Sequence, residues 1–269
     1  MMFLFRKIRN TILRHAEFGS ESRDVKTKKR VQGDKIFKKA FAFTLAETLI
    51  VMGIIGVVAA LTIPNLNSST ADKEKVAKVK KIYQNLNDAL GRAQAVYGPI
   101  DEWLTLDSTD TAQTTRFGER VTEFMKVSKN CGIDNQGCFS DKEVKSRNGA
   151  ASGLDANSDY YYKVILADGT SVGLSSGTIV VDIDGPNKGA TQLGYDMFLF
   201  RCQQGGGIVP LSFRTSTFSE LLNNLKQNGE GGSASLWIIN YDNMDYLKLD
   251  SSGKCPNGTT PTEQNPRCK

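Results

Sequence analysis

Polar and apolar positions divide this 269-residue chain into four stretches with different periods. Residues 43–66 read FTLAETLIVMGIIGVVAALTIPNL, with no polar side chain from Leu49 to Leu61. Phe43 to Ile63 is 21 residues. At about 1.5 Å per residue, a helix of that length crosses a hydrocarbon core about 30 Å thick. Residues 71–97 follow a helical period instead. Val76, Val79, Tyr83, Leu86, Leu90, Ala93 and Tyr97 recur three and four residues apart, which predicts an amphipathic helix ended by Gly98-Pro99. Residues 114–129 carry a second helical period.

Beyond them the pattern shortens to strands. Tyr160–Ala167 and Thr170–Leu174 flank Asp168-Gly169, a hairpin signature. Thr178–Ile183, Met197–Cys202, Ile208–Phe213 and Ser235–Asn240 read as further strands. Thr217-Phe218-Ser219-Glu220 has the spacing of a capping box opening a helix to about Gln227. Helices first and strands after predict an α+β fold. Residues 130–158 are polar and rich in Gly, Asn and Asp, and read as a loop. Tyr160-Tyr161-Tyr162 reads as strand and core. Gln203–Gly207 lacks the Lys-Ser/Thr of a phosphate loop and reads as a turn.

Charge is uneven. Residues 1–42 carry 12 Lys+Arg against 4 Asp+Glu, leaving 22 against 25 in residues 43–269. The basic excess therefore belongs to a leader, and the slightly acidic body speaks against nucleic acid as a partner. Basic residues ahead of the apolar run place the N-terminus on the cytoplasmic side and the remainder outside. The one histidine, His15, lies in the leader. Residues 43–269 therefore have no Ser-His-Asp or Cys-His site and no His-ligated metal, so no enzymatic role is expected.

Five cysteines (131, 138, 202, 255, 268) all follow the apolar run, at spacings unlike zinc sites. They read as disulfides in an exported domain, with one left unpaired. Cys131 and Cys138 would close the polar loop, and Cys255 and Cys268 bound a Pro/Asn/Thr-rich tail. Which pairs form stays open, and all five reduced is the alternative. Lys73, Lys75, Lys78, Lys80 and Lys81 cluster at the start of the amphipathic stretch, as a lipid-headgroup or neighbour contact or as a solvated face. Asp182-Ile183-Asp184-Gly185-Pro186-Asn187, with Asp196 further on, offers oxygen ligands of the kind calcium takes, or an ordinary Asx turn. No other cofactor is implied.

Glu47 does not fit a plain anchor: a carboxylate inside an apolar segment is costly and calls for a partner. Ala42-Phe43-Thr44-Leu45-Ala46-Glu47 resembles the processing site of bacterial type IV prepilins and type II secretion pseudopilins. The resemblance is specific over residues 41–66. It implies cleavage by prepilin peptidase between Ala42 and Phe43, methylation of the Phe43 amine, and a role in assembly for Glu47 and for the helix-kinking Pro64. The family prefers Gly where Ala42 stands, and the 42-residue leader is longer than most. Gly53 and Gly56 permit close helix approach.

The resemblance further implies a pilin-like architecture, a long N-terminal helix with a membrane half and an amphipathic half, laid against an antiparallel sheet. The segments are then a leader (1–42), an assembly helix (43–66), an amphipathic helix (67–97) and an exported head (98–269). A disulfide between Cys255 and Cys268 would match the C-terminal loop of many pilins, and calcium at Asp182, Asp184 and Asp196 would match a loop of some pseudopilins. The implied partners are the peptidase, other pilin or pseudopilin subunits, the inner-membrane assembly platform and membrane lipid. The expected place is the cytoplasmic membrane and then a pilus or secretion pseudopilus. Three other functions remain: a single-pass anchored binding protein that does not polymerise, a competence-type pilin in DNA uptake and, more remotely, an enzyme built on carboxylates.

Overall fold

The structure is a computed structural model that describes residues 44–106, 109–134, 137–212 and 215–268, without the side chains of 59–69. The chain separates into two units, Met1–Gly53 and Ile54–Lys269. The first helix, α1, is Leu45–Tyr97 and includes Pro64. Among the described residues no helix is long and apolar enough to cross a membrane. The apolar run continues past Val58 into the side chains outside the description. Ala42 and Phe43 lie outside the described residues as well.

The second unit is α+β. After α1 come α2 (Thr111–Thr122), six strands, β1 (Val127–Gly132), β2 (Tyr162–Leu166), β3 (Ser171–Leu174), β4 (Ile179–Asp182), β5 (Met197–Gln203) and β6 (Gly207–Pro210), then α3 (Phe218–Leu225) and α4 (Ala234–Tyr241). The strands form one antiparallel sheet in sequence order, β1 to β6, so each pairs with the next along the chain.

Side chains alternate across a strand, and both faces of this sheet are covered. Tyr162, Val164 and Leu166 of β2, Ile179 and Val181 of β4, and Phe198, Phe200 and Cys202 of β5 share one core with α1. Val180, Leu199 and Met197 face a second, smaller core. Burial on both faces explains why β3 and β4 read as unbroken apolar or small runs. The first core takes the predicted α1 stripe: Val76, Val79, Leu86, Leu90 and Ala93 are buried. Tyr83 stacks on Phe200, with ring centroids 5.8 Å apart. The second core is roofed by Cys131 of β1 and by the segment after it, through Cys138, Phe139, Val144 and Ala156.

Local chemistry sets the helix ends. Gly98 takes φ +85° just past Tyr97 and donates its N–H to Gln94 O at 3.0 Å, and Pro99 cannot continue the helix. Asp110 caps α2 by accepting from Ala112 N at 2.9 Å. The Thr217–Glu220 capping box opens α3 as the spacing predicts. Gly118 of α2 lies against Tyr162, and an added Cβ would sit 2.1 Å from the ring. The Asp168-Gly169 hairpin joins β2 to β3, with Gly169 at φ +88°.

Three expectations are corrected. Ser235–Asn240 is not a strand but lies within α4, whose Ser235, Trp237 and Ile238 are buried. Its apolar run is too short for period alone to separate a buried helix from a strand. The helical period at 114–129 ends at Thr122, and Val127–Gly132 is the edge strand β1, paired with β2 through two irregularities. The strand expected at Ile208–Phe213 is Gly207–Pro210 among the described residues, and Phe213 lies outside them. An outer strand buries little, so its pattern is weak.

Candidate functional site

At the start of α1, Thr44 and Glu47 form a capping box that the sequence reading passed over. Thr44 N and Thr44 Oγ1 each donate to Glu47 Oε2 at 2.9 Å, and Glu47 N donates to Thr44 Oγ1 at 3.2 Å. The signal was present in the Thr-x-x-Glu spacing. Glu47 thus has a partner within its own first turn. From Leu45 to Val58 every large apolar side chain leaves more than half its surface exposed. Around Gly53 and Gly56 an added Cβ would meet nothing within 4 Å. Burying one such aliphatic side chain is worth about 1.5–3 kcal/mol, so this segment needs apolar surroundings from elsewhere.

The lysines of α1 turn onto the head. Lys75 Nζ sits 3.4 Å from the Tyr195 ring centroid and donates to Tyr195 O at 3.1 Å. Lys78 reaches Asp184 at 3.7 Å, Lys80 reaches Asp242 at 2.7 Å and Lys81 reaches Asp168 at 2.7 Å. Four of the five lysines therefore tie three separate loops to about 1.7 turns of helix. Each tie is partly exposed and worth about 0–1 kcal/mol, so together they set the seating of the helix more than the stability of the fold.

Asp182, Asp184 and Asp196 do come together, at the end of β4 and the loop that follows. Asp182 Oδ1 accepts from Asp184 N at 3.0 Å and Gly185 N at 3.1 Å. Asp196 accepts from Ala190 N, from Thr191 N at 2.9 Å and from Gln192 N at 2.7 Å. Gly189 lies directly on Asp196, where an added Cβ would be 2.2 Å from Oδ2. Among the described residues no group of three His, Cys, Asp or Glu is placed to hold a metal. Asp182 Oδ1 and both oxygens of Asp196 bond backbone N–H groups and Asp184 pairs with Lys78, so these carboxylates organise a loop.

One feature of this loop is costly. Asp182 Oδ2 is buried without a hydrogen-bond partner, as is the hydroxyl of its cross-strand partner Ser171. Burial pushes the Asp182 carboxyl up to about 7; the two N–H bonds oppose this, and Asp196 and Asp184 nearby reinforce it.

No family model, curated protein or solved structure matches the chain.

The head carries two disulfides, Cys131–Cys138 and Cys255–Cys268, and Cys202 is the free, buried cysteine. Burial raises the Cys202 thiol to about 12, so it is un-ionised and unreactive at neutral pH. Gln203–Gly207 is a hairpin turn, with Gly206 backed onto Gln94 of α1, where an added Cβ would come within 2.2 Å of Oε1. Of the three tyrosines, Tyr161 and Tyr162 are buried and Tyr160 meets Tyr161 edge to face.

Lys163 was not foreseen. It is fully buried, and its Nζ donates to Ile133 O at 2.6 Å, Ser158 O at 2.7 Å and Asn157 O at 3.0 Å. Its ammonium pins both ends of the roof over the second core. Burial lowers its pKa, with Asp159, Asp134 and Asp155 opposing. A lysine within a strand pattern gives no sequence sign of such a role.

Proposed function

We propose that the chain is a prepilin-like structural subunit. It is cut between Ala42 and Phe43 and methylated at Phe43. It then assembles through the apolar start of α1 into a type IV pilus or a type II secretion pseudopilus, with no catalysis of its own. The observation that carries this reading is the pairing of an exposed apolar helix start with a helix-on-sheet head. Apolar side chains at 45–58 require lipid or the same segment of neighbouring subunits. The buried stripe of Val76 to Ala93 belongs to the head. The α+β fold with its antiparallel sheet is compatible with the architecture that the processing-site resemblance implies. The capping box fits the reading too. Cleavage before Phe43 leaves the Thr44 amide intact, so Thr44 still holds Glu47 while a new ammonium appears one residue upstream.

The same box favours a second reading. A glutamate already bonded to Thr44 does not demand a partner subunit, which suits a single-pass anchored protein that never polymerises. The N-terminal residue and mass of the chain, measured in membrane and sheared-surface fractions of a host with prepilin peptidase, separate the two. A chain starting at methylated Phe43 and present in the sheared fraction supports the subunit. A chain still carrying residues 1–42 in such a host refutes it. Glu47→Leu is expected to abolish filaments while leaving membrane insertion unchanged.

A further inference from the structure

Among the described residues the last strand of the sheet has one strand neighbour, β5. Its register pairs Cys202 with Ile208 and Arg201 with Val209. In an antiparallel ladder, alternate residues turn both backbone groups toward the partner or away from it. Leu211 N donates inward to Leu199 O, so the outward residues are Ile208 and Pro210. Pro210 has no N–H, as suits an edge. Ile208 therefore holds the outward donor of β6, and that donor is taken. Ile208 N donates to Asn87 Oδ1 at 2.9 Å, and Asn87 Nδ2 donates to Ile208 O at 3.0 Å. The same Nδ2 lies 3.1 Å from Tyr83 O, one helical turn back. The carboxamide of Asn87 thus presents a donor and an acceptor in the pattern of a neighbouring strand residue.

We propose that Asn87 is an intramolecular strand surrogate that closes the β6 edge against pairing with the β6 edge of a second copy of this chain. An edge strand with free N–H and C=O groups is a template for another strand. Asparagine is the side chain that satisfies both groups at once from a helix, because its amide has the donor and acceptor geometry of a peptide. Its position, one residue after buried Leu86, directs it to the strand and not into the core.

The test uses the full-length chain in detergent, with hydrogen exchange read at individual amides and mass read by sedimentation. In Asn87→Ala the Ile208 amide is expected to exchange about tenfold faster or more, while amides of β3 and β4 keep their parental rates. The variant is also expected to form a concentration-dependent dimer beyond any association of the parent. Adding Val209→Lys, a charge on the edge, should remove that dimer and leave the Ile208 amide fast. If Asn87→Ala does not fold, Asn87→Gln displaces the amide by one methylene and should give the same exchange result. An unchanged Ile208 amide overturns the proposal. So does a fast amide without added association, or a dimer indifferent to Val209→Lys.

Discussion

Replacing Asp182 by Asn isolates the cost of one buried proton. The carboxyl sits at the end of β4 with one oxygen on two N–H groups and the other unpartnered. Burial raises its pKa from 3.8 to about 7. At about 1.36 kcal/mol per unit, that is a difference on the order of 4 kcal/mol between its neutral and ionised forms. The folded chain holds this proton more tightly than the unfolded chain. Its contribution is therefore full below about pH 4, declines as pH rises and levels off above about pH 7. Asparagine keeps the oxygen that accepts from Asp184 and Gly185 and never ionises. The difference in unfolding free energy between Asp182→Asn and the parent should be within about 1 kcal/mol at pH 4 and grow to about 2–4 kcal/mol in favour of the variant at pH 8. Urea unfolding of both proteins at five pH values, followed by circular dichroism, reads that difference, with m-values checked for constancy. A difference that stays flat across the range, or a variant less stable at pH 8, refutes the reasoning.

Lys163→Met removes the ammonium from three partly buried carbonyls. A loss of about 3 kcal/mol in urea unfolding is expected, with faster proteolysis within 133–158 than elsewhere. Replacing Cys131 and Cys138 by Ser should cost about 2.5 kcal/mol, and replacing Cys255 and Cys268 about 3 kcal/mol, on the loop-closure estimate; equal stability of the reduced and oxidised protein would contradict both. Lys80→Ala and Lys81→Ala should each cost less than about 1 kcal/mol at low salt, and that loss should vanish in molar salt, as read from paired unfolding curves.

What the residues disclosed depended on how much each environment constrained them. The stripe from Val76 to Ala93, the turn at Asp168-Gly169 and the cap at Thr217 are local patterns with one good solution, and the structure contains all three. The run at Ser235–Asn240 failed because a short, mostly apolar helix with a buried face and a buried strand look alike in sequence. The acidic loop was legible as a cluster but not in its purpose. Whether Asp196 faces a cation or three backbone N–H groups depends on the path of residues 190–192, which no spacing fixes. Asn87 and Lys163 could not be singled out, since each acts on backbone groups brought near only by the fold.

The order of the strands also bears on how the chain reaches its structure. Each strand pairs with its sequence neighbour, and β2–β3, β3–β4 and β5–β6 join through short loops, whose local closure is fast. The outer side of β6 is different, because its closing residue lies 121 positions earlier. Assembly of the head is therefore expected to separate into a rapid zippering of hairpins and a slower return of the first-made helix to the last-made strand. Until that return, Gly207–Pro210 stands open, so mispairing between nascent chains should fall in this interval and at this strand.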